Sequence, residues 1–252
     1  MHNNAAINYK SQYQQDKIVD YLFKGHKYGF FIDIGAHDGV SFSNSYFFER
    51  TRKWTGVCFE PIHDLYLELV KNRECRCING AISNRTELVK FTRGTGYIEM
   101  LSGISKFRDD KHIARTEKDI AKFGGNLVEI EVQAYSLNEF LQDNNILEID
   151  FLSLDIEGGE YEVLKSIDMS KVSIKSIAVE LNFIETKDKI EKLLNDNDFF
   201  LAILTGADGI FLHRKHFNPF HYRVNRLRLE GFMKEQYERI INKLKRYFIV
   251  LC

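Results

Sequence analysis

The hydrophobic pattern of the chain is dominated by four short apolar runs, Phe30 to Ile34, Trp54 to Phe59, Ile149 to Asp155 and Ile174 to Leu181. They are near-continuous instead of alternating, which suits strands covered on both faces in a parallel α/β sheet. Each brings an acid to its carboxyl end: Asp33, Glu60, Asp155 and Glu180. Inside a strand an acid would lose water without gaining a partner, so the four belong on one rim of the sheet, where open α/β sheets place their ligands. Between the runs, the spacing predicts helices over Gln14 to Phe23, Ser43 to Arg50 and Leu65 to Lys71, and another ending at Leu164. Ser136, with Glu139 three residues on, reads as an N-cap opening a short helix to Leu141. Short strands are expected at Cys75 to Ile78, Glu87 to Phe91 and Val128 to Gln133. Phe199 to Thr205 and Gly209 to His213, joined by Gly206-Ala207-Asp208, predict an antiparallel hairpin at the sheet edge.

The first acid opens the chemistry. In FFIDIGAHDG, Gly35 and Gly39 let the backbone turn sharply and approach a ligand, with Asp33 and Asp38 beside them. A dinucleotide site would carry G-x-G-x-x-G, and two carboxylates are poor company for a pyrophosphate. They suit a ligand with an ammonium group and a sulfonium, such as S-adenosylmethionine. Glu60, followed by Pro61, is placed to accept both hydroxyls of its ribose. The plainer alternative is that Asp33 caps a helix and Glu60 is an exposed acid at a strand end.

From Arg93 to Asn126 the periodicity fails, and glycines at 94, 96, 103, 124 and 125 enclose polar and charged sequence. A stretch of that length between strands is usually functional or disordered. It reads as a lid over about 93–127 that keeps water from cofactor and acceptor, with Ser102 as a cofactor contact.

Five segments in order resemble the FkbM-type S-adenosylmethionine-dependent methyltransferases: Ser11-Gln12-Tyr13-Gln14-Gln15-Asp16, FIDIGAHDG from Phe31, Phe59-Glu60-Pro61, Asn79-Gly80-Ala81-Ile82-Ser83, and FLSLDIEGGEYEVL from Phe151. The resemblance implies an α/β, Rossmann-like class I methyltransferase fold: a mostly parallel sheet with an antiparallel C-terminal hairpin. It also implies O-methylation of sugars or of hydroxyls on secondary metabolites. By the same resemblance Asp33, Gly35 and Asp38 would contact the methionine half of the cofactor, Glu60 the ribose, and Ile62 and Ala81 the adenine, with Gly39 and Pro61 in the same two loops. His37 stands where relatives often have Asn, so its cofactor contact departs from the family pattern.

At 252 residues and 44% hydrophobic content the chain can bury one substantial core, and its two prolines leave no linker to divide it. Residues 1–252 therefore read as a single domain with an N-terminal helical cap over about 1–27, the lid, and a basic C-terminal helix over about 224–252. No run approaches the length that spans a bilayer, and MHNNAAINYK lacks a signal-peptide core, which predicts a soluble cytoplasmic protein. Cys58, Cys75, Cys77 and Cys252 fit no zinc spacing, and no structural disulfide is expected. The net charge of −1 hides an asymmetry, because Arg214 to Cys252 holds ten Lys and Arg against three Glu. Met233, Tyr237, Ile240, Leu244 and Phe248 recur at helical spacing, so the tail reads as a helix that docks its apolar stripe or self-associates into a homo-oligomer. Without interleaved basic and aromatic residues, nucleic acid is disfavoured as a partner.

Methyl transfer to oxygen requires an aligned acceptor, here a hydroxylated small molecule, sugar or glycan, and removal of its proton. Asp155 is the first candidate base, Glu180 the second and His37 the third, although a hydrogen-bonded turn residue is the plainer reading of His37. Alternatively, Asp155, Glu180 and Asn182 complete an oxygen-rich Mg²⁺ site. Glu157 and Glu160 read as an acidic first turn, favourable with the helix dipole. Two other classes stay open: an NAD(P)-dependent oxidoreductase, which would use Glu60 but lacks the third glycine, and a non-catalytic nucleotide-binding protein of the same fold.

Overall fold

A computed structural model of the chain describes residues 8–182 and 184–231. Seven strands form the main sheet: β1 (Phe30–Ile34), β2 (Thr55–Glu60), β3 (Arg76–Asn79), β8 (Glu148–Leu154), β9 (Ser173–Glu180), β10 (Phe199–Thr205) and β11 (Asp208–His213). Their order is β3-β2-β1-β8-β9-β11-β10. Only β11 runs against its neighbours; every other pairing is parallel. The reversal follows from the short turn at Gly206, whose φ of +60° folds β11 straight back beside β10. The mostly parallel sheet and its antiparallel hairpin match the expectation.

Register levels the rim. Ile34 lies beside Phe59 on one side and Leu154 on the other, and Leu154 beside Val179. The next residues along, Gly35, Glu60, Asp155 and Glu180, therefore share one edge. Both faces of the sheet are covered, as the apolar runs require. Ile32, Ile34, Phe59, Leu154 and Val179 pack with α4 (Leu137–Asp143), α5 (Glu160–Ser166) and α6 (Ile184–Asp196). On the other face, Phe31, Cys58 and Phe151 pack with Val19 of α1 (Gln15–Leu22), Leu69 of α2 (His63–Asn72) and Phe47, Phe48 and Trp54. The helix expected from Ser43 starts later, at 46, because the Ser43 hydroxyl accepts the Tyr46 N–H and caps it.

A second, four-stranded sheet stands over the rim. It contains β4 (Ala81–Ser83), β5 (Glu87–Gly94), β6 (Gly103–Ile104) and β7 (Leu127–Ser136), in the order β4-β7-β5-β6. Its inner face buries Ala81, Val89, Phe91, Ile104, Val132 and Ala134 with Ile62. The stretch without periodicity holds a 14-residue helix, α3 (Asp110–Phe123), capped by the Asp109 carboxylate and ended at Gly124. Ile113, Ile120 and Phe123 recur at helical spacing around Thr116, its single buried residue, a pattern lost among the charged residues between them. Helix runs over 222–231, but the apolar stripe from Met233 to Phe248, and the self-association based on it, lie outside the described residues, as does Cys252. Among the described residues, no helix is long and apolar enough to cross a membrane.

Candidate active site

The turn after β1 is clamped between its two neighbours. The Gly35 and Ala36 N–H groups donate to the Phe59 carbonyl at 3.1 and 3.0 Å, and the Asp155 N–H donates to the Ile34 carbonyl at 3.2 Å. Gly35 has φ +86°, and a Cβ there would lie 1.9 Å from the Asp155 carbonyl oxygen. Gly39, at φ +82°, meets Leu69 and Arg73 instead, at 2.6 and 2.8 Å from its ideal Cβ. Asp38 turns back on its own loop, accepting the Val40 N–H at 2.8 Å and the Ser41 N–H at 2.7 Å. Neither Asp38 nor Gly39 is among the residues that line the two cavities at the rim, and both shape the loop that carries His37.

One cavity lies under the second sheet and is lined by Glu60, Pro61, Ile62, Ala81, Phe91 and Ile104. Glu60 is not the exposed acid of the plainer alternative, being 4% exposed. Its Oε2 accepts the His37 N–H and its Oε1 the Ile62 N–H, each at 2.8 Å. Burial nevertheless pushes its carboxyl up to about 7, against the pull of those two amides. His37 reaches the cavity through a φ of +52°, with Nε2 3.4 Å from Glu99 Oε2. Ser102 also lines it, but its hydroxyl is already engaged, donating to the Glu99 carbonyl at 2.5 Å and accepting the Gly94 N–H at 2.9 Å.

A second cavity shares Gly35, His37, Met100, Asp155 and Glu157 with the first. Asp33 lies in its wall and caps no helix; its carboxylate accepts the Ser45 hydroxyl at 2.5 Å. Burial raises its proton affinity, opposed by the nearby Arg73 guanidinium. Arg73 is itself fully covered, donating to Glu49 at 2.9 Å, the Gly39 carbonyl at 3.1 Å and Ser45 Oγ at 2.9 Å. The N-terminal segment contributes Gln15, which donates to Asp208 and lines this cavity. Asp16 faces away from it and ties down the chain start through Ser11 Oγ and the Lys10 N–H.

At the junction, one oxygen each of Asp155, Glu157 and Glu180 lie within 4.8 Å of one another. Asn182, expected as the third oxygen ligand, lines the same cavity and donates its amide N–H to Glu180, and Glu157 adds a carboxylate that the sequence did not single out as a ligand. Glu160 opens the acidic first turn of α5 as expected, whereas Glu157 lies before the helix; they are 4% and 9% exposed, and Glu160 accepts the Gly158 N–H at 3.0 Å to close the loop. Burial, then the neighbouring carboxylates Glu157 and Asp208, pushes the Asp155 carboxyl well up. Burial and then Asp155 do the same to Glu180, and burial raises Glu157 to about 7 against Arg115. Arg115, on α3, places Nη1 3.1 Å from Glu157 Oε2 and 3.9 Å from Glu180 Oε1. Sequence reasoning missed Arg73, Glu99 and Arg115.

The strand order, the single reversed strand and the acid rim define a Rossmann-like class I methyltransferase fold. Residues 33–245 match the methyltransferase FkbM domain, and the chain belongs to that family of methyltransferases. No curated protein matches it. Among solved structures it is similar to methyltransferase FkbM from Methylobacillus flagellatus KT, at 12% identity over 74% of this chain and 44% of that one, with a TM-score of 0.42. It is similar to the METTL16 MTase domain, at 12% identity over 81% and 66% of the two chains and a TM-score of 0.44. M. capricolum TrmK in complex with S-adenosylhomocysteine aligns at 12% identity over 81% and 68%, with a TM-score of 0.41. The chain spans less than half the length of the Methylobacillus protein.

Proposed function

We propose that the chain is an S-adenosylmethionine-dependent O-methyltransferase acting on a hydroxyl of a sugar or glycan. The observation that carries this reading is the joining of two unlike cavities at Gly35 and Asp155, one mostly apolar around Glu60 and one lined with acids. Each Glu60 oxygen already takes one backbone N–H, which leaves a lone pair on each for a ribose hydroxyl. Ile62 and Ala81 would flank the adenine, with Pro61 and Ser102 completing the wall. Asp33 and the Gly35 backbone would hold the ammonium-bearing half, while Asp38 and Gly39 act through the loop that carries His37.

When bound, S-adenosylmethionine supplies a methyl group activated by its sulfonium. The protein then has to align the acceptor oxygen and hold its proton. Asp155, at the junction and with raised proton affinity, would take that proton, and Glu180 beside it is the second candidate. His37 is the third, from the opposite lip. Asp155, Glu157 and Glu180 would alternatively hold Mg²⁺, a hard ion that suits three carboxylate oxygens and would keep all three ionised.

Calorimetric titration of S-adenosylmethionine and S-adenosylhomocysteine, with and without Mg²⁺, tests the reading. Micromolar binding that disappears in Glu60→Ala supports it. No binding in either metal condition overturns it and brings nicotinamide cofactors forward.

A further inference from the structure

Phe42 combines two features that a surface phenylalanine rarely shows. Its φ is +56°, in the left-handed region that disfavours a bulky side chain. Its ring is 54% exposed, yet it lines the acid-rich cavity. The conformation is enforced from both sides. Asp38 closes the turn before it by accepting the Val40 and Ser41 N–H groups, and Ser43 caps the helix after it. Backbone strain held in place at a cavity mouth points to a use for the side chain it presents.

Tyr13 stands in the same wall, 38% exposed, on a segment tied to Phe42 by a backbone bridge at Ser11. Its ring is seated on Gly206, where a Cβ would come within 2.2 Å of ring Cγ. Other walls of the cavity carry Asp155, Glu157, Glu180 and Asp208. Asn44 lies there too, buried, donating its amide to Ser153 at 3.0 Å and leaving Oδ1 without a hydrogen-bond partner.

The subsite therefore combines two partly exposed aromatic rings with several hydrogen-bond acceptors in one cavity. A pyranose ring matches both, with a C–H face for the aromatics and a hydroxyl edge for the carboxylates and Asn44. A carboxylate or phosphate on the acceptor would meet five acids, Asp33 included, with the Arg115 guanidinium already beside Glu157. We infer that Phe42, with Tyr13, is the stacking platform of the acceptor subsite, and that this subsite selects a neutral cyclic polyol over its anionic derivatives. The inference rests on the methyltransferase reading above.

The test measures S-adenosylhomocysteine formation with methyl pyranosides of the common hexoses, and with their uronic acid and phosphate derivatives, as probes. Wild type, Phe42→Ala and Phe42→Trp are compared, with calorimetric affinity for S-adenosylhomocysteine as the control for fold and cofactor site. Affinity for S-adenosylhomocysteine stays within about twofold in all three. KM for the accepted pyranoside rises about tenfold in Phe42→Ala at nearly constant kcat and recovers in Phe42→Trp. The anionic probes turn over at least about tenfold less well in wild type. An unmoved KM in Phe42→Ala, or equal use of anionic probes, overturns the inference. If wild type binds S-adenosylhomocysteine but methylates no neutral pyranoside, the inference falls and the methyltransferase reading stands. If it binds none, both fall.

Discussion

The carbonyl oxygen of Asp155 lies against Gly35, 1.9 Å from the place a Cβ on residue 35 would take. β1 and β8 can end side by side, and bring the two cavities together, only with glycine at this position. Gly35→Ala must push the turn off the Asp155 backbone as well as adopt φ +86°. Gly96→Ala is the control, since it has φ +68° but nothing nearer to its Cβ than 4.0 Å. Gly96→Ala should cost about 1 kcal/mol in urea unfolding. Gly35→Ala should cost more and should also abolish S-adenosylhomocysteine binding.

Glu60 makes stability depend on pH in a definite direction. Burial raises its carboxyl from the ordinary 4.5 to about 7, so the folded chain binds this proton more tightly than the unfolded chain. The stability so contributed is fully present below about 4.5 and is lost as pH rises through about 7. The gap between the two values corresponds to about 3 kcal/mol. Urea unfolding of the ligand-free protein at pH 5 and pH 8 should show a decline, and Glu60→Gln should lessen it by the Glu60 share. Glu157, also raised to about 7, keeps its own share of the slope in that variant.

The rim acids were legible in the sequence because a strand covered on both faces is apolar throughout, so an acid at its end stands out. Their partners were not. Arg73 follows directly after α2, where a cation is ordinary. Arg115 lies on a helix that buries only Thr116, and nothing local marks it as the partner of Glu157, 42 residues on. The second sheet depends on pairing β5 with β7 across the whole insertion, which no local pattern encodes. The close pair of thiols is Cys58 and Cys75, both free, with their sulfurs 3.5 Å apart across two segments, a proximity that the local spacing of Cys75 and Cys77 does not encode.

Arg73 should prove the most sensitive charge outside the cavities. Its guanidinium is fully covered and holds Glu49, Gly39 and Ser45, the last of which donates to Asp33. Arg73→Met would leave the Glu49 carboxylate buried without its cation, which costs about 3–5 kcal/mol. Adding Glu49→Leu removes the orphaned charge, so the double variant should be more stable than Arg73→Met alone. Chemical denaturation of the four proteins closes the cycle; equal losses in the single and double variants would sink the argument.

Arg115 separates two ways of balancing the carboxylates at the junction. With Nη1 3.1 Å from Glu157 and 3.9 Å from Glu180, it supplies positive charge from α3, the helix of the insertion. A divalent ion held by Asp155, Glu157 and Glu180 would compete with that charge for the same oxygens. Arg115→Ala should therefore tighten Mg²⁺ binding if these acids form an ion site. Because Arg115 is 38% exposed, the gain is modest, about 0.5–1 kcal/mol or a few-fold in affinity. Glu157→Gln should weaken binding in either background. The thermal shift produced by a Mg²⁺ series reads all three proteins. If Mg²⁺ moves none of them, the acids are balanced by protons and Arg115 alone, and proton removal from the acceptor falls to a side chain.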